Sequence, residues 1–192
     1  MHHPFRLTAV TLWISILLLA SLSAVADNNL LRPSTWVLID TRHTTLTVMQ
    51  DDEAVAYFKN ISIGRKGAAP LHLLGDNTTP QGTYRISEKR TKSKYTLFFS
   101  LDYPTTEHAE LALEQGYIKP VHYESILAAH ARGKMPPAST PLGGAIGIHG
   151  IGKGSLSVHH QYHWTNGCVA LDDKQIREFE RWVSPGTRVV IR

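Results

Sequence analysis

Two stretches, Ile148-His149-Gly150 and His163-Trp164-Thr165-Asn166-Gly167-Cys168-Val169-Ala170-Leu171, hold the residues from which the rest of the chain can be interpreted. The second contains the only cysteine among the 192 residues. A single thiol cannot close an internal disulfide, and a cysteine thiolate is a strong nucleophile when a base lies nearby. Cys168 is therefore the candidate nucleophile, and His149 is the candidate base.

His149 lies 19 positions before Cys168. That separation leaves enough chain for a loop to bring the imidazole within about 3 Å of the sulfur. A thiol with an unperturbed pKa of about 8.5 is mostly protonated at neutral pH, so it needs a base or a positive environment. The acceptor that orients His149 is either the Gly150 carbonyl or a distant carboxylate such as Asp102, and the sequence leaves both open.

The segment Thr165-Asn166-Gly167-Cys168 also predicts an oxyanion site. A nucleophile that attacks an amide needs hydrogen-bond donors for the oxygen that becomes negative. Gly167 permits a turn in which two consecutive backbone N–H groups face one oxygen. Thr165 and Asn166 flank this turn, and we expect them to contact substrate. Acyl transfer is the reaction that this arrangement favours.

Two other interpretations compete with catalysis. A solitary cysteine is more often an inert buried residue than a nucleophile, which would make the chain a non-catalytic binding module. His159 and His163 have the i,i+4 spacing of a zinc motif, with His160 between them. No carboxylate accompanies these histidines, and the neighbouring residues 161–162 carry no helix signal. We therefore expect solvent-facing loop histidines, no metal site and no cofactor.

Residues 1–26 have the organisation of a secretory signal peptide. Arg6 precedes an apolar run from Leu7 to about Leu22, and Ala24-Val25-Ala26 supplies a small-residue cleavage site. We expect cleavage after about Ala26 and export to the periplasm or cell wall with no stable membrane span; an uncleaved anchor is the alternative. Residues 27–192 then form a single domain, since no repeat or shift in composition divides them.

The charge balance argues against one class of partner. The chain has 20 Lys and Arg against 16 Asp and Glu, a formal net charge of +4, and Arg6 is the one such residue within 1–26. The excess is small and dispersed, so nucleic acid is not an expected partner. It would suit an anionic polymer, but a soluble surface needs a similar balance. We expect a monomer.

Alternating apolar and polar residues predict a mainly β fold with a few short helices. The predicted strands are 36–40, 45–50, 54–58, 60–63, 83–87, 95–101, 145–149 and 188–191. The predicted helices are 107–115, 124–132 and 174–183, the last opened by Asp172 with Gln175 in a capping-box position. The basic run 89–94 is expected to be a solvated turn.

These motifs resemble those of the YkuD-type L,D-transpeptidases. In that family a His-Gly or His-Ser pair is followed, after a spacer of similar length, by Ser or Thr, any residue and Gly-Cys. Here fifteen residues separate His149 from the Thr165-Asn166-Gly167-Cys168 segment. The Thr79-Pro80-Gln81-Gly82-Thr83-Tyr84 run and the Pro185-Gly186-Thr187 turn before Val189 are also similar to family segments. The resemblance extends from about Trp36 to Ile191.

The resemblance implies a β-sandwich-like catalytic domain that acts on the stem peptides of peptidoglycan. Cys168 would be acylated at a meso-diaminopimelate residue with loss of D-alanine, His149 would be the base, and the Gly150 carbonyl would orient it. The acyl group would pass to an amine, which makes a cross-link or attaches a protein to the wall. The family needs no metal and is typically acylated by carbapenems.

Two departures from the family pattern bear on the second half of the reaction. Many members have His before Gly-Cys and Arg or Asn two positions after Cys, where this chain has Asn166 and Ala170. The 164–170 run, with Asp102-Tyr103-Pro104 upstream, is more similar to the YafK-like branch, which includes an enzyme thought to release a lipoprotein from peptidoglycan. Hydrolysis, as an L,D-carboxypeptidase or as an amidase with an outer-membrane lipoprotein as partner, is the main alternative. A wall-binding module without turnover is another.

Overall fold

Ten strands and four helices make up residues 34–192, the part of the chain that a computed structural model describes. The strands are β1 Thr35–Asp40, β2 Thr45–Gln50, β3 Glu53–Lys59, β4 Ala68–Ala69, β5 Thr79–Pro80, β6 Gly82–Ser93, β7 Thr96–Leu101, β8 Gly147–Gly150, β9 Val169–Leu171 and β10 Arg188–Ile191. The helices are α1 Thr106–Glu114, α2 Pro120–Ala131, α3 Leu156–Gln161 and α4 Asp173–Phe179. None of these helices combines the length and the apolar character that a membrane span requires. The predicted signal peptide lies outside the described residues.

Eight strands form one mixed sheet in the order β3-β2-β1-β10-β6-β7-β8-β9. The first three are the antiparallel meander that the alternating pattern predicts. The C-terminal strand β10 pairs in parallel with β1 and antiparallel with β6, so it lies inside the sheet and joins the meander to the second half. The mainly β fold predicted from the sequence is confirmed.

The predicted strand at 60–63 is wrong. This segment makes an isolated bridge between Ser62 and Ala170, with N–H···O distances of 2.9 and 2.7 Å in the two directions. Ile61 and Ile63 are buried on either side of Ser62. Ser62 is buried as well, so the apolar residues mark a buried segment rather than one face of a strand, and the bridge ties this segment to β9.

The strand β6 runs further than the sequence predicts. It continues to Ser93 and pairs with β7, with register shifts between Ile86 and Glu88 and again between Arg90 and Ser93. Such irregularities bend a hairpin and re-aim its side chains. Residues 89–92 are exposed, as predicted, but they belong to a strand, so the prediction of a turn there is wrong.

The predicted helices are all present, with shifted ends. α2 begins at Pro120, four residues before the predicted start, because proline suits the first turn, where its missing N–H costs nothing. α4 has the predicted capping box, in which the Asp172 carboxylate accepts from Gln175 N at 2.7 Å. α3 was not predicted; its Ser155 hydroxyl accepts from Val158 N at 3.3 Å. A helix this short leaves little periodic signal.

The helix α4 fixes the strand ends beside the candidate site. Phe179 packs edge-on against Phe99 of β7, with ring centroids 5.2 Å apart, and both rings are fully buried. Asp173 accepts hydrogen bonds from Thr96 Oγ1 at 2.7 Å and from Gly152 N at 2.9 Å. One carboxylate therefore joins the start of β7 to the loop after β8, which holds the end of β8 in place.

The connection 64–82 folds back on the cysteine segment. Its small strands β4 and β5 pair in parallel, and Gly64 N donates to Thr79 Oγ1 at 2.8 Å. Arg65 N donates to Thr165 O at 3.0 Å. These bonds place the connection directly against the residues that precede Cys168.

Candidate active site

The pairing of β8 with β9 brings Cys168 and His149 to one face of the sheet. The two strands are parallel, and His149 is the register partner of Ala170. Cys168 precedes β9 and lies two residues before Ala170, so its side chain is on the same face as that of His149. Both side chains line a single cavity of about 700 Å³. The register thus explains how residues 19 positions apart meet.

The His149 ring is held in one orientation and one tautomer. Its Nδ1 lies 2.8 Å from the Gly150 carbonyl oxygen, which can only accept, so Nδ1 carries the proton and Nε2 has a free lone pair. Tyr95 stacks on the ring with centroids 4.1 Å apart, and Trp164 meets it edge-on at 5.7 Å. The residue is only 2% exposed. Asp102, the alternative orienting group, instead accepts from Arg85 N at 2.8 Å.

Burial keeps both partners uncharged. It lowers the pKa of His149 to about 4, because a charged imidazolium is poorly solvated among aromatic rings. It raises the pKa of the half-buried Cys168 thiol to about 11. The thiol lies 3.5 Å from the Ala145 carbonyl oxygen, to which it can donate. At neutral pH the resting pair is therefore an uncharged thiol and an uncharged imidazole.

The turn before Cys168 is closed by a threonine. Thr165 Oγ1 donates to Cys168 O at 2.6 Å and accepts from Gly167 N at 3.2 Å. Gly167 has φ +139°, and a Cβ atom there would lie 2.8 Å from Thr78 O. Only glycine fits this turn without strain. One of the two backbone donors predicted for an oxyanion is therefore engaged within the turn itself.

Asn166 lies at the rim of the cavity rather than in the turn's hydrogen-bond network. Its Oδ1 accepts from the Arg65 guanidinium, and both the residue and this contact are exposed to solvent. The contact ties the connection 64–82 to the cysteine segment a second time. Asn166 can therefore contact a ligand that enters the cavity from solvent.

One wall of the cavity is cationic. Arg90, Lys92 and Lys94, from the end of β6 and the turn after it, are among the lining residues, and no Asp or Glu of residues 34–192 lines the cavity. The Arg90 guanidinium lies over the Phe98 ring at 4.3 Å, which fixes part of this wall. Arg90 Nε lies 3.8 Å from Glu88 Oε2, so its charge is partly balanced outside the cavity lining. A cluster of positive charge in a concave site attracts anionic ligands.

The three histidines of interest lie in α3, as His159 and His160 do, or just after it, as His163 does. His159 is buried, and its Nδ1 accepts from Trp164 Nε1 at 3.3 Å, so the prediction of a solvent-facing loop histidine is wrong for this residue. His160 and His163 are exposed. Across residues 34–192, no three His, Cys, Asp or Glu side chains are grouped so that they could hold a metal ion. His159 instead supports Trp164, which packs on the ring of His149.

Comparison with known proteins identifies the family. The family model YkuD, described as the L,D-transpeptidase catalytic domain, matches residues 34–191. The chain belongs to the YkuD family of L,D-transpeptidase catalytic domains. The family predicted from the sequence motifs is confirmed. This family acts on peptidoglycan peptides. A comparison with curated protein sequences gave no match.

Two solved structures illustrate the shared fold. The helical cell shape determining protein Pgp2 from Campylobacter jejuni is 20% identical, with a TM-score of 0.55 over 84% of this chain and 48% of that chain. Bd1075 of Bdellovibrio bacteriovorus is 17% identical, with a TM-score of 0.53 over 84% of this chain and 49% of that chain. The present chain therefore spans about half the length of either protein. At these identities the likeness concerns the fold alone.

Several residues of the YkuD site carry no signal that sequence reasoning could use. Tyr95 and Trp164 enclose the ring of His149, but an aromatic residue beside a strand is predicted to be core. His72 comes from the glycine- and proline-rich connection and lines the same cavity. The cationic wall was predicted to be a solvated turn. Each of these depends on contacts between segments distant in sequence, whereas Cys168 and His149 share a motif.

Proposed function

We propose that this protein is a cysteine-dependent L,D-transpeptidase that acts on peptidoglycan stem peptides through a Cys168 acyl-enzyme. The observation that carries the proposal is the arrangement of two side chains in a domain of this family. Cys168 and His149 line one cavity, and His149 Nδ1 lies 2.8 Å from Gly150 O. That bond leaves Nε2 as the base, and it gives Gly150 the orienting role.

The first half-reaction follows from the uncharged resting pair. The Cys168 thiol transfers its proton to His149 Nε2 as the sulfur attacks the carbonyl carbon of a diaminopimelate residue. The carbonyl electron pair moves to oxygen and then returns, the C–N bond breaks, and the leaving D-alanine amine takes the proton from His149. The products are a thioester and a neutral imidazole, which is ready to act again.

The cationic wall supports an anionic peptide as substrate. Stem peptides end in carboxylates, which are the groups that lysine and arginine side chains bind. Arg90, Lys92 and Lys94 line the cavity that Cys168 opens into. Peptidoglycan lies outside the cytoplasmic membrane, so the proposal requires export, for which the predicted signal peptide at residues 1–26 provides the route.

The second half-reaction decides between transfer and hydrolysis. His149 would deprotonate an incoming amine, whose attack on the thioester returns the thiol and yields a cross-link or an attached protein. Water as acceptor would make the same protein a hydrolase, the alternative that the similarity of residues 164–170 to the YafK-like branch favours. That alternative would have an outer-membrane lipoprotein or a shortened tripeptide among its products.

Incubation with purified sacculi tests the proposal. Mass spectrometry of the muropeptides should show new 3-3 cross-links or exchanged D-amino acids, with no change for Cys168→Ala. Shortened tripeptides or released lipoprotein alone would favour the hydrolase. Replacing His149 with Ala should slow turnover by about 100-fold, as expected for loss of a general base. Unchanged sacculi would contradict the proposal, and near-normal turnover by His149→Ala would remove that residue from the mechanism.

A further inference from the structure

A second histidine lines the cavity that holds the candidate nucleophile. His72 lies between β4 and β5, is only 4% exposed, and lines the same cavity as Cys168. A Cβ atom on Gly167 would lie 3.3 Å from His72 Cε1, so the ring packs directly against the turn that carries Cys168. The proposed first half-reaction, as described above, assigns no step to this imidazole.

The ring of His72 is fixed by a carboxylate and a carbonyl. Its Nδ1 lies 2.7 Å from Asp76 Oδ1 and 2.8 Å from Thr78 O. Burial would raise the pKa of Asp76, but hydrogen bonds from Leu73 N and from the N–H and hydroxyl of Thr78 outweigh it, and the pKa is lowered. Asp76 is therefore ionised at neutral pH. Both partners accept, so Nδ1 must carry a proton.

The other ring nitrogen, Nε2, has no hydrogen-bond partner among residues 34–192. The Tyr103 hydroxyl donates to the main-chain oxygen of His72, which holds the backbone, and the Tyr103 ring meets the imidazole edge-on at 5.7 Å. Because Nδ1 is occupied and the residue lines the cavity, Nε2 is the ring nitrogen left for a ligand.

The turn before Cys168 lacks one of the hydrogen-bond donors that an oxyanion requires. An oxygen that becomes negative during attack requires preorganised donors. Gly167 N–H, one of the two backbone donors expected there, is already bonded to Thr165 Oγ1 at 3.2 Å. The His72 ring lies beside that same turn. A protonated imidazole in this position can donate a hydrogen bond in place of the Gly167 N–H.

We propose that His72, as an imidazolium, donates from Nε2 to the carbonyl oxygen of the scissile amide while that oxygen is negative. This role rests on the proposed acyl transfer by Cys168. The oxygen gains the carbonyl electron pair as the S–C bond forms, and it returns that pair as the C–N bond breaks. His149 carries the mobile proton, whereas His72 keeps its own. His72 would thus be a catalytic residue that touches the reacting oxygen.

The charged groups near the ring are of both signs. Asp76 is the negative partner on the loop of His72, whereas Arg90 and Lys92 are cations that line the same cavity. Tyr103 stays neutral, because burial raises the pKa of its hydroxyl, and Cys168 across the cavity is a neutral thiol. Loss of the Nε2 proton as pH rises would remove the donor. The value of kcat/KM for acylation is therefore expected to fall when His72 is deprotonated.

Two substitutions that differ by one methylene separate this role from a structural one. The amide nitrogen of glutamine overlays Nε2 of histidine, and that of asparagine overlays Nδ1. His72→Gln should keep the donor at the oxygen and lose the bond to Asp76, with kcat/KM within about tenfold of wild type. His72→Asn should keep the bond to Asp76 and lose the donor, with kcat/KM lower by about 100-fold.

Two results test the proposal: which of the two variants has the higher kcat/KM, and how kcat/KM depends on pH. If His72 only holds the loop, His72→Asn will be the better enzyme, which overturns the proposal. The fall of kcat/KM with rising pH should be present in wild type and absent in His72→Gln. Thermal melting identifies a variant that does not fold. In that case the pH dependence of kcat/KM in wild type is the test, and a flat dependence overturns the proposal. Failure of wild type to form any acyl-enzyme with a stem peptide would instead contradict the proposed function.

Discussion

Cys168 is the single cysteine of the chain, so alkylation reports on one site. Burial raises the pKa of its thiol to about 11 and lowers that of His149 to about 4. At pH 7 only about one thiol in ten thousand is ionised, and about one in a hundred at pH 9. Since the thiolate is the reactive form, the rate of modification by iodoacetamide should rise about tenfold per pH unit over this range.

Intact-mass measurement of the alkylated protein at intervals between pH 6 and 9.5 gives the rate directly. An ordinary exposed thiol would begin to level off near its pKa of about 8.5, which a model peptide measured in parallel would show. His149→Ala should change the alkylation rate at pH 7 by less than about threefold, because the resting imidazole is not paired with a thiolate. A rate that is already maximal at pH 7 would refute the reasoning, since it would require a preformed thiolate–imidazolium pair.

Two further predictions concern the walls of the cavity. Gly167→Ala places a Cβ atom 2.8 Å from Thr78 O at φ +139°, which strains the turn by about 1–3 kcal/mol. The substitution should lower the melting temperature and slow acylation at least about tenfold. An unaffected acylation rate would show that the turn is not constrained. Arg90→Gln should raise KM for a carboxylate-ending stem peptide by about threefold to tenfold at low salt, with less effect at high salt because the side chain is exposed. Lys174→Gln, an exposed cation outside the cavity, is the control; an equal effect would indicate general charge rather than a binding wall.

The elements that the sequence predicts best are those whose own residues determine them. The β1–β2–β3 meander has alternating apolar residues, and the α4 capping box is a local signal in which Asp172 and Gln175 satisfy each other's backbone groups. The end of β6 has no apolar face to reveal it, because its basic side chains line a cavity instead of a core. Its pattern resembles that of a solvated turn, although the chain is paired there.

The residues of the candidate site also differ in how well the sequence predicts them. Cys168 and His149 lie in motifs whose strands are register neighbours, so their spacing is informative. His72 is different, because it reaches the site through bonds to Asp76 and through a connection that folds back on Thr165. Such contacts depend on the tertiary arrangement of the connection, and neither composition nor periodicity predicts them.

The central claim is that Cys168 forms a covalent acyl-enzyme with a peptidoglycan stem peptide. Intact-mass spectrometry of the protein, quenched in acid after incubation with a tetrapeptide-containing muropeptide, tests it most directly. We expect an adduct with the mass of the donor less D-alanine, located on Cys168 by peptide mapping and absent from Cys168→Ala. A wild-type protein that releases products without any such adduct, or a Cys168→Ala variant that still forms one, would contradict the account.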